Sequence, residues 1–167
     1  MGEKLTKNDI KKIQEEIDYR KLVVRKDAIE AVKEARAQGD LSENFEYYAA
    51  KKDKNKNESR IRYLERMIKN AQIVEDTTKE DEVGLYSIVE VYIEEDDETD
   101  TFKLVTSVRG DSLQGRISIE SPLGKALLGH KVGDKVYVQV NEHYGYELEI
   151  RKITQTVDDG SDQLRSY

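Results

Sequence analysis

The sequence predicts an α+β protein with an N-terminal antiparallel coiled-coil hairpin followed by a small antiparallel sheet and one short helix. Apolar residues recur at three- and four-residue spacing through the first half, whereas several segments of the second half alternate with a period of two. The pattern changes near residue 77. We therefore expect a hairpin over residues 1–76, a sheet domain over 77–157 and a disordered tail over 158–167.

The composition excludes several classes of protein and site. The 167 residues include no cysteine, so neither a disulfide framework nor a thiolate metal site is possible. The mean hydropathy is -0.80, and no segment resembles a signal peptide or a membrane span. We therefore expect a cytoplasmic protein without membrane contact.

The charge is distributed unevenly along the chain. Residues 1–76 hold 18 basic and 16 acidic residues, a net charge of +2, and residues 77–167 hold 10 and 19, a net charge of -9. Because the whole chain is acidic, with a net charge of -7, it should bind nucleic acid poorly in general. Any contact with nucleic acid should be local and confined to the first half.

Both arms of the hairpin can be read from their apolar positions. Thr6 and Asn8 are residue types that cap helices, so the first arm should begin near residue 8. Its apolar stripe, which Arg20 interrupts, consists of Ile10, Ile13, Ile17, Val24, Ala28, Val32 and Ala35. The heptad positions of the second arm are Tyr47, Ala50, Lys54, Asn57, Ile61, Leu64, Ile68 and Ala71.

Antiparallel pairing of the arms places residues whose numbers add to about 81 or 82 opposite each other. The pairs are then Ile10 with Ala71, Ile13 with Ile68, Ile17 with Leu64, and Ala35 with Tyr47. Large residues thus pack far from the turn and small ones near it, and the tip falls at Asp40 and Leu41. Arms of roughly 30 residues would form a rod about 45 Å long.

The predicted tip carries residues that packing alone does not require. Asp40 and Glu43 place two carboxylates at an exposed turn, and Leu41 is an apolar residue beside them. The next turn is aromatic, with Phe45 and the pair Tyr47-Tyr48. This combination indicates a docking surface, although a rod that serves only as a spacer or for dimerisation is the alternative.

A basic face follows the tip along both arms. It consists of Arg25, Lys26, Arg36, Lys51, Lys52, Lys54, Lys56, Arg60 and Arg62. A solvated helix face is the usual meaning of such a run, but a polyanion could also lie along it with a phosphodiester near the carboxylates. Lys54 and Asn57 occupy heptad positions that face the first arm, here called the seam. Polar residues weaken the packing there, which indicates that a requirement other than stability selects these residues.

The second half reads as five strands and one short helix. The predicted strands are Leu85–Ile93, Thr101–Arg109, Arg116–Glu120, Lys135–Val140 and Tyr146–Ile153. In the helix, Ser121 would be the N-cap, Pro122 the first helical residue and Gly129 the C-terminal stop. We expect Glu94–Asp100 to be a solvated loop, and His130 and His143 to be surface residues in turns.

Two segments, GDLSENFEYYAAK and GRISIESPLGKALLGHKVGD, closely resemble the bacterial Gre transcript cleavage factors. The resemblance extends over most of residues 5–153. It implies an FKBP-like second domain that docks at the rim of the secondary channel of RNA polymerase, for which Ser121, Pro122, Leu123 and Gly124 are candidate contacts. The hairpin of the monomer would enter the channel and stimulate the polymerase to cleave the extruded 3′ end of the nascent RNA in backtracked complexes.

The resemblance also assigns roles to residues of the hairpin. The family's tip acids map onto Asp40 and Glu43, which would help the polymerase retain a second catalytic Mg²⁺; the isolated protein would hold none. Two-metal hydrolysis needs such an ion, and magnesium accepts one or two added carboxylates. Residues that shape or dock the tip would be Leu41, Asn44, Glu46 and Tyr47, and the RNA-contacting basic face would comprise Arg36, Lys51 and Lys52.

Three departures from the family pattern leave alternatives open. Lys26 stands where a proline is usual, Phe45 replaces a small residue, and Lys51 replaces a frequent arginine. One alternative is a paralogue that occupies the same channel and regulates the polymerase without cleavage. Another is a peptidyl-prolyl isomerase-like module, although fold alone does not carry that activity. In the leading interpretation the protein is not itself an enzyme, because the metal site is completed only inside its partner.

Overall fold

The computed structural model describes residues 2–39 and 44–166. The chain forms two compact units, the first built mainly from residues 8–72 and the second from residues 4–7 together with residues from 73 onwards. The change of unit at residue 73 lies near the boundary that we expect at residue 77. An α+β protein with a helical hairpin and a separate sheet is therefore confirmed.

The first unit is the helical hairpin that the apolar periodicity predicts. Its segments are α1 (Lys7–Tyr19), a π-turn (Arg20–Val24), α2 (Arg25–Ala37) and α3 (Phe45–Asn70). Its large apolar core residues are Ile13, Ile17, Ile61 and Leu64, each at most 2% exposed. Burial of each such side chain stabilises the fold by about 1.5–3 kcal/mol, so these residues hold the end of the hairpin that lies far from the turn.

Contacts across the hairpin agree with the predicted registry. Arg25 pairs with Glu58, and the guanidinium of Arg36 lies over the ring of Tyr47. The residue numbers of each pair add to 83, which is within two of the predicted sum of 81 or 82. Ala35 is buried near the turn, so small residues do pack where the arms approach the tip.

The second unit contains a five-stranded sheet in the order β5-β4-β3-β7-β6. Its strands are β3 (Ile88–Ile93), β4 (Glu98–Val105), β5 (Arg116–Ser118), β6 (Lys135–Gln139) and β7 (Gly145–Thr154). Two short strands, β1 (Lys4–Leu5) and β2 (Gln72–Ile73), form a separate sheet. Buried and more exposed residues alternate along β3 and β6, because successive side chains point to opposite faces of a sheet.

The short helix α4 (Pro122–Leu127) packs against the sheet as its sequence signals predict. The Ser121 hydroxyl oxygen accepts a hydrogen bond from the Gly124 N–H at 3.1 Å, and Pro122 occupies the first turn. A Cβ on Gly124 would lie 2.0 Å from the Ser118 carbonyl oxygen. Glycine at this position therefore permits the close approach of α4 to the end of β5.

Several details of the sheet differ from the expectations. The strand expected over Thr101–Arg109 ends at Val105, and Ser107–Arg109 form a 3-10 helix. β4 pairs with β5 in parallel, so the sheet is mixed rather than wholly antiparallel. The segment Glu94–Asp100, expected to be a loop, contains the first residues of β4, and only Glu94–Asp97 form the turn. Thr99 and Asp100 are polar because this end of β4 is exposed. The sequence there therefore lacks the apolar–polar alternation that indicates a strand.

The C-terminal segment differs from the expected disordered tail. The Asp158 carboxylate pairs with the Arg109 guanidinium at 3.2 Å, and the Asp162 carboxylate accepts a hydrogen bond from Lys103 at 2.7 Å. The Arg165 N–H donates to the Val108 carbonyl oxygen at 2.6 Å. The segment is thus held on the second unit by ion pairs with residues distant in sequence.

Candidate functional site

The predicted tip lies at the turn between α2 and α3. Three of its residues, Asp40, Leu41 and Glu43, lie outside the described residues, whereas the residues on both sides of them are described. Gly39 has a φ of 137°, a backbone conformation that glycine adopts without steric cost. The local chain direction at the end of the first arm therefore depends on glycine.

Asn44 connects the two arms beside the tip. Its side-chain oxygen accepts a hydrogen bond from the Tyr47 N–H at 3.0 Å and caps the start of α3. Its side-chain nitrogen donates to the Ala35 carbonyl oxygen at 2.6 Å. One side chain thus satisfies a donor at the start of one helix and adds a hydrogen bond to the Ala35 carbonyl oxygen, which also accepts from the Gln38 N–H at 3.3 Å, so it links the two arms.

An arginine and a tyrosine form a second connection between the arms. The Arg36 guanidinium carbon lies 5.6 Å from the centroid of the Tyr47 ring, within the range of a cation–π contact. The Arg36 guanidinium, together with the nearby charges of Lys51 and Lys54, lowers the pKa of the Tyr47 hydroxyl. The ring centroids of Tyr47 and Tyr48 lie 5.5 Å apart in an edge-on arrangement, so these two members of the predicted aromatic turn are in contact.

The exposed side chains near the tip carry both signs of charge. Arg36, Lys51 and Lys52 are exposed cations, and Glu46 is an exposed carboxylate in the first turn of α3. A negative charge is favourable at that position because of the helix dipole. Phe45 is 85% exposed. This end of the hairpin therefore offers cations for phosphate groups and an aromatic ring for an apolar or stacking contact.

Sequence reasoning missed a partly buried polar cluster in the middle of the hairpin. Glu16 accepts hydrogen bonds from Arg20 and Arg60, both at 2.8 Å, and Arg20 donates to the side-chain oxygen of Asn57 at 3.0 Å. Burial raises the pKa of Glu16, but the hydrogen bonds and charges of the two arginines outweigh burial, so that its pKa lies below the ordinary value. Two features of the sequence could have indicated this cluster: Arg20 interrupts the apolar stripe of the first arm, and Asn57 occupies a heptad position of the second arm.

The candidate docking residues of the second unit have unequal exposure. Pro122 is exposed, whereas Leu123 packs against the apolar core and Gly124 is buried. The Ser121 hydroxyl caps α4 and also donates to the Ser118 carbonyl oxygen at 2.6 Å. Of these four residues, Pro122 presents the most side-chain surface to a partner, and the other three position it.

The described part of the chain offers few other groups for catalysis or metal binding. His143 is exposed, and His130 lies 3.1 Å from the Asp134 carboxylate in a half-exposed turn. Residues 2–39 and 44–166 bring together no group of three or more His, Asp or Glu side chains that could hold a metal ion. None of the helices in these ranges has the length and hydropathy that a bilayer requires.

Both units match known protein families. Residues 3–73 match the family described as transcription elongation factor, N-terminal, and residues 77–155 match the family described as transcription elongation factor, GreA/GreB, C-term. The two matches correspond to the hairpin and the sheet domain.

Curated relatives give the same result over most of the chain. The transcription elongation factor GreA of Thermoanaerobacter pseudethanolicus is 47% identical over 137 residues, which cover 81% of this chain and 87% of the relative. The GreA of Geobacillus kaustophilus is 44% identical over 136 residues, with 81% and 86% covered. A crystal structure of GreA factor homolog 1 of Thermus thermophilus is similar with a TM-score of 0.43 and 28% identity, covering 92% of this chain and 99% of that chain. From the family and sequence matches, the chain belongs to the GreA/GreB family of transcription elongation factors.

Proposed function

We propose that this protein is a transcript cleavage factor of RNA polymerase. Its hairpin would enter the secondary channel and bring Asp40 and Glu43 to the polymerase active site, where the extruded 3′ end of a backtracked RNA is cut. The observation that carries this proposal is the match of both units to transcription elongation factors, and the two hydrogen bonds of Asn44, which link the arms beside the segment that contains the two acids, support it. In this role the protein acts as a monomer in the cytoplasm and is not itself a nuclease.

The donor chemistry of the tip fits a shared magnesium site. Asp40 and Glu43 supply carboxylate oxygens, the ligands that Mg²⁺ prefers, but two side chains cannot fill its octahedral shell. The polymerase and water would have to supply the other ligands. The chemistry that Mg²⁺ provides in such a site is activation of water and stabilisation of the leaving oxygen, so the two acids alone should have no cleavage activity.

The basic face beside the tip would bind the RNA backbone. Arg36, Lys51 and Lys52 are exposed cations at the base of the tip. The contact between Arg36 and the Tyr47 ring restricts the orientation of that guanidinium. We infer that these residues attract the phosphates of the 3′ RNA segment, and that their contribution weakens as the salt concentration rises.

The second unit would dock on the polymerase through the N-terminal end of α4. Pro122 is exposed there, and Ser121, Leu123 and Gly124 position it by capping the helix and packing it on the sheet. Replacement of Pro122 alone therefore separates docking from folding better than replacement of its neighbours.

Replacement of both tip acids tests the proposed mechanism. In the double variant Asp40→Ala, Glu43→Ala, we expect stimulated cleavage of RNA in stalled, backtracked complexes to be lost, because the second Mg²⁺ is no longer retained. Binding to polymerase should remain, since the arms and the second unit are unchanged. The matched control is Glu30→Ala, Asp53→Ala, which removes two exposed acids from the arms and should cleave like the unmodified protein.

Three outcomes would contradict the proposal in different ways. Cleavage by the tip double variant at the unmodified rate would exclude a role for the two acids. Binding of the unmodified protein that suppresses RNA synthesis without cleavage would favour a channel-blocking regulator. Proline isomerisation by the full chain would favour the isomerase-like alternative, for which we expect no activity.

A further inference from the structure

The two arms of the hairpin contain different numbers of residues between equivalent seam positions. In the first arm, Ile10, Ile13, Ile17 and Arg20 follow a 3-4-3 spacing, and Arg25, Ala28, Val32 and Ala35 repeat it. All eight residues are buried or half-buried. Five positions separate Arg20 from Arg25, where an uninterrupted heptad pattern requires four. The heptad spacing of the second arm, in contrast, is unbroken from Tyr47 to Ala71.

The extra residue lies in the π-turn. The Arg25 N–H donates to the Arg20 carbonyl oxygen, five residues earlier, instead of to the residue four earlier. A single π-turn accommodates one inserted residue within an α-helix. The predicted registry accommodates the same insertion, because the numbers of Ile10 and Ala71 add to 81 on one side of the turn, whereas those of Ala35 and Tyr47 add to 82 on the other.

The partly buried polar cluster lies at the start of this turn. Asn57 accepts from the Arg20 side chain and donates to the Arg20 carbonyl oxygen at 3.3 Å, so it contacts the residue that begins the turn twice. Glu16 joins Arg20 to Arg60. Asn57 is 4% and Arg60 is 5% exposed. These hydrogen bonds form only when Arg20 lies at one position along the axis of the first arm and has one orientation around that axis.

A second ion pair holds the other end of the turn. Arg25 donates two hydrogen bonds to the Glu58 carboxylate, at 3.0 and 2.9 Å. Such bidentate pairing has a narrow geometry. Between the two anchored ends, Leu22 is 74% and Val23 is 41% exposed. The turn therefore directs apolar side chains into solvent, and core packing gives no reason for its position.

The position of the extra residue determines how the tip-proximal half of the arm faces its partner. If the insertion moved to another turn, each residue between the two sites would rotate by about 100° around the helix axis. The small seam residues Ala28, Val32 and Ala35 would resist this rotation only weakly, because they bury little apolar area. Polar seam residues are known to specify register at a cost in stability.

We propose that Glu16, Arg20, Asn57 and Arg60 are positioning residues that keep the extra residue of the first arm in the turn at 20–24. They thereby fix the rotation of α2 about its own axis, and so determine which of its side chains face the second arm near the tip. The catalytic consequence rests on the proposed cleavage function, whereas the structural consequence can be measured without it.

The experiment combines a seam substitution with a deletion. Asn57→Leu restores an apolar heptad residue but removes both contacts from Asn57 to Arg20, so the insertion is held less firmly in the turn, by the Glu16 and Glu58 ion pairs alone. Deletion of Leu22 removes the extra residue and converts the turn to α-helix without changing any seam residue. We expect Asn57→Leu to keep or raise the melting temperature but to reduce cleavage by about 10- to 100-fold. Adding the Leu22 deletion should restore cleavage to within about twofold of the unmodified protein, because no extra residue remains to be misplaced.

Spin labels provide a readout that is independent of cleavage. The chain has no cysteine, so cysteines introduced at the exposed positions Lys33 and Lys56 can be labelled specifically. The distance distribution should be narrow in the parent, broadened by Asn57→Leu and narrow again in the combined variant. The matched control deletes exposed Glu30 instead of Leu22; it should not rescue, because it would bring Asp27 into the seam.

Several results would overturn this proposal. One is a narrow distance distribution and full cleavage in Asn57→Leu; another is a loss of cleavage that the Leu22 deletion does not restore. If Asn57→Leu fails to fold, Arg20→Leu with the same deletion replaces it, with the same criteria. If the parent protein stimulates no cleavage, the proposed function fails, and the distance distributions alone decide this proposal.

Discussion

Asn44 shows how a single side chain organises the candidate site at the scale of one residue. It is both the N-cap of α3 and the hydrogen-bond donor to Ala35 at the end of the first arm. The sequence predicts part of this, because asparagine before a helix is a preferred N-cap. The bond to Ala35 could not be predicted, because it depends on the separation of two helices that local pattern does not encode.

Replacement of Asn44 should separate its two roles. Asn44→Ala should reduce the free energy of unfolding by about 0.5–2 kcal/mol, through loss of the cap. Asn44→Asp keeps an acceptor for the Tyr47 N–H but cannot donate to Ala35, so it should retain most of the stability. We expect both variants to have faster amide hydrogen exchange at residues 35–39 and weaker cleavage. Urea unfolding and hydrogen exchange measure these effects, and unchanged exchange in Asn44→Asp would show that the bond to Ala35 does not hold the arms.

At the scale of the element, the first arm differs most from its prediction. The interruption of the stripe at Arg20 is visible in the sequence, but a polar residue on a seam and a one-residue insertion look alike in an apolar pattern. Only the backbone hydrogen bond between Arg25 and Arg20 distinguishes them. The direction of β5 relative to β4 was unpredictable for a similar reason, since alternation gives the faces of a strand and not its direction.

The charge of Glu16 should make the stability of the hairpin depend on pH. Its folded-state pKa lies below the ordinary value of 4.5 because it accepts hydrogen bonds from Arg60 and Arg20. The unfolded state then binds more protons, so the contribution of Glu16 is present above about pH 4.5 and is lost as the pH falls through the folded-state value. Glu16→Gln should lower the free energy of unfolding at pH 7 by on the order of 1–2 kcal/mol and by less at pH 3.

Urea unfolding at the two pH values tests this expectation. Exposed Glu15 is the matched control, and Glu15→Gln should change stability little at either pH. An equal loss of stability in Glu16→Gln at pH 7 and pH 3 would show that the Glu16 side chain contributes by packing and not by its charge.

At the scale of the whole molecule, the chain extends past the region that defines its family. The family match ends at residue 155, yet Asp158 and Asp162 bind cations of the second unit. The sequence predicts disorder here because the segment has no apolar periodicity. Ion pairs between residues far apart in sequence leave no local signal, so this packing becomes visible only in the structure.

Removal of the Asp158 charge should destabilise the chain. The side chains of Arg109 and Asp158 are 2% and 7% exposed, and loss of the Asp158 charge leaves the buried Arg109 charge with neutral partners such as the Asp162 carbonyl oxygen. We expect Asp158→Asn to lower the free energy of unfolding by about 3 kcal/mol, measured by urea unfolding of the full chain. Exposed Asp159 is the matched control, since Asp159→Asn should have an effect within about 0.5 kcal/mol. Equal effects of the two substitutions would contradict a specific role of the buried pair.

The π-turn also restricts how parts of this hairpin can be exchanged with those of relatives. The heptad pattern of the second arm is uninterrupted, whereas the first arm contains one additional residue. The seam positions of the two arms match only because the π-turn at 20–24 accommodates that residue. A chimera that takes its first arm from this protein and a second arm without the equivalents of Asn57 and Arg60 would therefore lose the contacts that we propose hold the extra residue at 20–24. We therefore expect the two arms of this hairpin to be exchanged successfully only as a pair.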